Sequence, residues 1–270
     1  MRYAQIVMGL KDCGKSTYCL LISKYAESKG RKMRIVNLDA RTPSVVYDQP
    51  IADVRDVITI SEVEEAERLS PGTGAGFELT LTYVLDHPEW LFDAIGEVKD
   101  GDYIIFDCPG ESEYHVHLKT MKVFAAMLVV KNFRTCGVFV RDSRSAINGY
   151  NFIASCLTPL TSYVNLSIPH VNLMMKVDLL TDEEKSRLQL FINSDVKDVL
   201  RYENSKHRSA TDNSLLEGYQ ELAKICSTAA SILEGHNFVR KKYFPIDTRD
   251  DNSLKGFLGI LDDVMGITED

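Results

Sequence analysis

Gly9-Leu10-Lys11-Asp12-Cys13-Gly14-Lys15-Ser16-Thr17 fits the pattern G-x-x-x-x-G-K-[ST]. Tyr3 to Met8, just before it, is a short apolar run of strand type. Thr17 to Lys29, just after it, has helical spacing, with Tyr18, Leu21, Ile22 and Tyr25 on one stripe. A strand, a glycine-rich turn and a helix in that order make a P-loop. The two glycines let the backbone curl so that several N–H groups face one concavity. The helix adds its positive N-terminal end, and the concavity then suits phosphate oxygens. On this reading Gly9, Asp12, Cys13, Gly14, Lys15, Ser16 and Thr17 hold phosphate. Lys15 reaches the outer phosphates and the Ser16 hydroxyl is placed to ligate Mg²⁺. The competing reading is a glycine turn before an ordinary helix.

Composition sets the frame around this motif. The chain has 270 residues, 44% hydrophobic and 26% charged, which suits a single domain over residues 1–270, with an insertion. A net charge of −8 makes a basic nucleic-acid surface an unlooked-for feature. No apolar run is long enough to span a membrane. The six cysteines (Cys13, Cys19, Cys108, Cys136, Cys156 and Cys226) include no C-x-x-C pair and no zinc spacing. They read as reduced thiols, so the expected location is cytoplasmic or nuclear. Met1-Arg2 leads straight into the first strand, with no leader pattern.

Downstream, further candidate residues fall at the ends of apolar strands, where ligands bind in open α/β sheets. Met33 to Leu38 delivers Asp39, a candidate for holding Mg²⁺ through water or for orienting an attacking water. By itself it could equally be an Asp capping a turn. Residues 40–60 read as loop with a short helix near Asp53 to Ile58, followed by an acidic helix from Glu62 to Arg68 and a turn-rich loop from Ser70 to Gly76. Helical stretches then cover Phe77 to Leu85 and Glu89 to Val98. Asp102 to Phe106 is a strand delivering Asp107-Cys108-Pro109-Gly110, a D-x-x-G arrangement. There Asp107 is a metal candidate and the Gly110 N–H a candidate for the terminal phosphate. Glu111 and Glu113 are candidates for positioning water, or are solvated surface acids.

A helix over His117 to Val130, a strand from Arg134 to Val140 and a helix from Ala146 to Leu160 follow. His170 to Met174 then delivers Met175-Lys176-Val177-Asp178. A carboxylate there can accept two parallel hydrogen bonds from guanine N1–H and its amino group, a donor pair adenine lacks. The Lys176 stem can cover the base. Residues 181–238 read as a polar helical insertion, with the weakly apolar Lys197 to Asn213 as a mobile or solvated part. Lys241 to Ile246 is a last strand and Leu254 to Met265 a closing helix. Alternating strands and helices predict an α/β P-loop NTPase: a doubly wound, mainly parallel sheet of six or seven strands with a helical insertion. Strand order is not readable.

Taken together these motifs resemble the GPN-loop GTPases, most nearly the third eukaryotic paralogue group. Arg2-Tyr3-Ala4-Gln5, Val36-Asn37-Leu38-Asp39, Ala52-Asp53-Val54-Arg55, Phe106 to Gly110, Cys136-Gly137-Val138-Phe139, Asp142-Ser143 and Lys176 to Leu180 carry the resemblance across the whole chain. It implies GTP and GDP as ligands, Mg²⁺ as cofactor, and a homodimer or a heterodimer with a paralogue. It also implies a role in RNA polymerase II assembly and nuclear import, so a cytoplasmic protein shuttling to the nucleus, with no direct nucleic-acid or membrane partner. In the family the acids matching Asp39, Asp107 and Glu113 surround the metal and attacking water, and the Gly-Pro-Asn loop of each subunit reaches toward the partner's phosphates and stabilises the transferred phosphoryl.

This chain departs from that pattern where hydrolysis is decided. Gly72-Thr73-Gly74 stands at the Gly-Pro-Asn position, with Ser70-Pro71-Gly72 as a competing register. Glu111 replaces a Gln, Ala40-Arg41 a Pro-Ala pair, Met175 a Thr and Arg141 a Val. An ionised Glu cannot donate a hydrogen bond and adds charge beside an anion. The expected activity is therefore GTP binding with slow hydrolysis. The alternatives are a pseudo-GTPase acting as a dimerisation partner and a P-loop small-molecule kinase. For the kinase, Arg201 and Arg208 would be the only obvious lid arginines.

Overall fold

The computed structural model describes residues 1–41, 46–47, 49–110, 119–207, 213–235 and 243–267. Seven parallel strands form one sheet. They are β1 (Arg2–Gly9), β2 (Met33–Asn37), β3 (Ala52–Asp53), β4 (Tyr103–Asp107), β5 (Phe133–Asp142), β6 (His170–Met175) and β7 (Tyr243–Pro245). Their order is β3-β2-β4-β1-β5-β6-β7. The central strand is apolar on both faces because both are covered. Ala4, Ile6 and Met8 enter one core and Val7 the other, following the two-residue period of a strand.

Ten helices lie among the described residues: α1 (Lys15–Ser28), α2 (Ile60–Leu69), α3 (Ala75–Asp86), α4 (Pro88–Ile95), α5 (Lys119–Val130), α6 (Gly149–Leu166), α7 (Asp182–Asn193), α8 (Val196–His207), α9 (Asn213–Gly235) and α10 (Asp251–Met265). On one face of the sheet Phe77, Leu81, Leu91, Phe124 and Leu128 from α3, α4 and α5 pack on Phe106. On the other, α1 and α10 supply Tyr18, Ile22, Phe257 and Leu261. Tyr18 meets Phe257 edge-on at 5.7 Å between centroids. That side also buries Gln5, and the cost is met by hydrogen bonds: Gln5 Nε2 donates to the Tyr103 hydroxyl (2.7 Å) and Tyr18 donates to Gln5 Oε1 (2.6 Å).

A third core joins α6 to α7, α8 and α9 through Phe152, Phe191, Val199 and Leu233. The charged stretch from Lys197, expected to be solvated, is helical in α8 as far as His207. It buries Val196, Val199, Leu200 and Glu203, spaced at helical intervals. Glu203 is 2% exposed and accepts from Asn148 Nδ2 (3.0 Å) and the Gly149 N–H (3.1 Å), so α8 is fastened to the start of α6. The short helix expected near Asp53 is instead the two-residue edge strand β3 followed by a single 3-10 turn, Val54–Asp56.

Because all pairings are parallel, every strand's C-terminal end lies along one rim of the sheet. β1 sits between β4 and β5, so the loops leaving β1, β2, β4 and β6 converge around the middle of that rim.

Candidate functional site

At the rim, β1 ends in Gly9 and α1 begins at Lys15. Gly14 caps α1 with φ 101°, left-handed backbone that favours glycine, and no side chain caps the helix. The first helical N–H groups are therefore left for a ligand. Lys15 is buried, and its Nζ donates to the Leu10 carbonyl at 3.0 Å. A Cβ built on Gly110 would lie 2.8 Å from Lys15 Nζ and 2.8 Å from Lys11 Cα. The end of the D-x-x-G turn thus lies directly against the P-loop, a closeness only the smallest residue permits.

These residues surround a cavity of about 720 Å³ lined by Lys11, Asp12, Gly14, Lys15, Ser16, Thr17, Asp39, Arg41, Ile60, Glu64, Glu67, Gly110 and Lys176. Of the residues singled out in the sequence, Asp12, Gly14, Lys15, Ser16, Thr17, Asp39, Gly110 and Lys176 meet there. Gly9, Cys13, Asp107 and Met175 lie behind the wall as buried or close-packed support: Met175 is 1% exposed and its Cβ would be 3.2 Å from a Cβ on Gly14. Burial pushes the Cys13 and Cys108 thiols up, so both stay protonated at neutral pH. Val177, Asp178 and the Gly72-Thr73-Gly74 turn are not among the lining residues. Glu111 and Glu113 lie outside the described residues.

Lys176 has φ 65°, an uncommon conformation for a residue with a side chain. Its Nζ donates to the Asp12 carbonyl and sits 3.1 Å from Asp142 Oδ2, tying β6 to the P-loop. Asp142 in turn accepts from Arg144. Burial works against the Asp142 carboxylate, but Arg144 and Lys176 outweigh it and hold its pKa below the usual range. Asp178 sits one turn further on, its carboxylate 13% exposed and 3.8 Å from the Arg249 guanidinium.

The β2 and β4 tips form a connected polar group. Asp107 is 1% exposed. Its Oδ2 accepts from the Tyr47 hydroxyl at 2.9 Å, and its Oδ1 has no hydrogen-bond partner. Burial raises its pKa, while hydrogen bonds from Ser16 and Tyr47 and the charge of Lys15 oppose the shift. Asn37 accepts from the Asp39 N–H (3.1 Å) and donates to Asp53 Oδ1 (2.9 Å). The Asp39 side chain accepts from the Arg41 N–H at 3.0 Å. A hydroxyl and two carboxylates, one with an orphaned buried oxygen, are hard donors of the kind Mg²⁺ takes. Among the described residues no group of three or more His, Cys, Asp or Glu could hold a metal unaided, so such a cation would need ligand oxygens as well.

Sequence reasoning missed Tyr47, Ile60, Glu64 and Glu67. Tyr47 lies in a loop with no periodicity, and the other three belong to α2, which reads from sequence only as an acidic helix from Glu62 to Arg68. The spacing of Glu64 and Glu67, three apart on one helix face, was the available signal.

A family model described as "Conserved hypothetical ATP binding protein" matches residues 7–265. GPN-loop GTPase 3 of Danio rerio is 32% identical over 269 residues, covering 100% of this chain and 90% of that one. The chain belongs to the GPN-loop GTPase family. GPN-loop GTPase 3 of Dictyostelium discoideum is 30% identical over 271 residues, with 100% of this chain and 89% of the relative covered. Among solved structures, an apo GTPase from Pyrococcus abyssi superposes with a TM-score of 0.73 at 18% identity, covering 98% of each chain. That likeness speaks for the fold. The α/β P-loop NTPase architecture expected from the motifs is the one observed. The family's model is described by ATP, while the relatives are named GTPases.

Proposed function

We propose that the chain binds GTP and GDP with Mg²⁺ and hydrolyses GTP slowly. The observation that carries this is the convergence of Lys15, Ser16, Asp39 and Gly110 on one cavity beside an uncapped helix N-terminus. Backbone N–H groups of the P-loop and the Lys15 ammonium bind the phosphates; the Gly110 N–H approaches the terminal one. Ser16, Asp107 and Asp39 would hold Mg²⁺, which supplies charge neutralisation across the outer phosphates when bound. Lys176 covers one face of the base with its stem, and Asp178 accepts the guanine donor pair. Asp39, with Glu113 and Glu111, orients the attacking water.

Slow turnover follows from the altered loop: Gly72-Thr73-Gly74 carries no Asn, and the Thr73 hydroxyl, its one side-chain donor, is given to the Ser70 carbonyl at 2.7 Å. The same fact favours a second reading, a nucleotide-binding partner that never turns over. Dimerisation with itself or a paralogue, RNA polymerase II subunits as clients, and cytoplasmic residence with nuclear shuttling belong to the proposal through family resemblance.

Calorimetric binding of GTP, GDP and ATP with Mg²⁺ to wild type and Asp178→Ala tests it. Guanine-selective binding, weakened at least about tenfold in the variant, is expected, since a lost bidentate base contact leaves polar groups unpaired. Equal binding of ATP refutes the base assignment. No binding of any nucleotide refutes the function.

A further inference from the structure

Arg41 lines the same cavity as Lys15, Ser16 and Gly110. Its guanidinium lies 3.1 Å from Glu67 Oε1 and 3.8 Å from Asp39 Oδ1, and its side chain is 24% exposed. It is thus held between a carboxylate at the tip of β2 and another on α2. Glu67 in turn packs on the segment that opens α3: a Cβ on Gly76 would lie 2.8 Å from Glu67 Oε1. A cation that far out of solvent, aimed at a cavity that already presents N–H donors, a hydroxyl and an ammonium, is suited to a polyanion.

Two considerations give it a specific task. First, two of the three lysines that line the cavity also hold protein oxygens: Lys15 Nζ the Leu10 carbonyl, and Lys176 Nζ the Asp12 carbonyl and Asp142. Second, a guanidinium presents a planar fork of donors that matches two oxygens of one phosphate, and a part-exposed ion pair is weak enough to exchange for it. We infer that Arg41 is the in-chain cation for the terminal phosphate of a nucleoside triphosphate, stored on Asp39 and Glu67 until that phosphate arrives. The inference rests on the nucleotide reading above and adds to it what separates triphosphate from diphosphate. In hydrolysis the bond formed is water oxygen to γ-phosphorus and the bond broken is γ-phosphorus to the bridging oxygen, the proton leaving with inorganic phosphate. Arg41 takes no proton; it meets the charge gathering on the oxygens.

The test measures binding of GDP and of a non-hydrolysable GTP analogue, both with Mg²⁺, and single-turnover GTP hydrolysis. The proteins are wild type, Arg41→Ala, Arg41→Lys and Glu67→Gln, each checked for an unchanged melting curve. Arg41→Ala is expected to weaken the analogue about tenfold, leave GDP within about twofold, and slow hydrolysis by roughly 10²-fold or more. Arg41→Lys restores the charge without the fork, so it recovers analogue binding more than rate. Glu67→Gln loosens the store and raises the preference for triphosphate. An analogue-to-GDP ratio unchanged in Arg41→Ala overturns the inference and leaves the nucleotide reading standing. Wild type that binds neither guanine nucleotide overturns both.

Discussion

Tyr47→Phe removes one oxygen and, with it, the hydrogen bond to Asp107. Tyr47 is 4% exposed and Asp107 1%, so the lost donor is removed from a carboxylate shielded from bulk solvent. A hydrogen bond to a charged group contributes about 1.5–3 kcal/mol, and the buried setting argues for at least the middle of that range. In a chain of this size about 2 kcal/mol lowers Tm by roughly 4–8 °C. Urea unfolding and scanning calorimetry of the nucleotide-free protein measure it. The pH dependence has a definite sign. Burial already holds the folded Asp107 pKa above its unfolded value. A carboxyl of that kind binds its proton more tightly when folded, so the stability it confers is present at low pH and lost as pH rises through the folded pKa. Removing Tyr47 raises that pKa further, and the variant's deficit must therefore grow from acid toward neutral pH. A deficit under about 0.5 kcal/mol at neutral pH, or one that shrinks as pH rises, refutes the reasoning.

Gly9→Ala places a Cβ hard against the Val140 carbonyl oxygen and 2.9 Å from Cys13 Sγ, at φ 148°. Backbone cannot give way, so a loss of about 3 kcal/mol or more is expected in urea unfolding; Gly30→Ala, with nothing within 4 Å, should lose only the roughly 1–2 kcal/mol of left-handed backbone strain. Asp53 is buried, which pushes its pKa up, yet hydrogen bonds from the Arg55 side chain and N–H and from Asn37 outweigh this and hold it below the usual range. A depressed carboxyl stabilises above its unfolded pKa and loses that contribution as pH falls through the folded one. Wild type should then exceed Asp53→Asn by about 1–2 kcal/mol at pH 7, with the gap starting to close only below about pH 4 and gone once pH is below the depressed folded pKa, as followed by urea midpoints.

The site was legible wherever a motif coincides with a strand end. Once the sheet is parallel, topology alone carries Lys15, Asp39, Gly110 and Lys176 to the same rim, so four separated stretches of sequence predict one cavity. What stayed hidden was short or contrary to pattern. Strand β3 has two residues, too few to show a period, and its Asp53-Val54-Arg55 reads as well as a turn. Helix α8 hides its packing face because Glu203, a charged residue, occupies a core position and is satisfied by Lys206 in its own helix and by Asn148 and Gly149 at the start of a helix far away in sequence. Strand order, the Tyr47–Asp107 contact and the pairing of Arg41 with Glu67 are all products of tertiary approach between residues with no sequence relation, and no local signal encodes them.

The two borders of the sheet are its shortest strands. β3 has two residues, and β7 has three and ends in Pro245, which has no N–H to offer. Along the described part of either border a foreign strand would find a rung or two of backbone hydrogen bonds, and very short edge strands are one way a sheet blunts such pairing. The fold thereby resists both templated aggregation and recruitment of extended peptides by strand addition. Among the described residues, helices and loops are what the surface offers a lasting partner. That places the burden of selectivity on side chains, where single substitutions can alter one association and leave the sheet untouched.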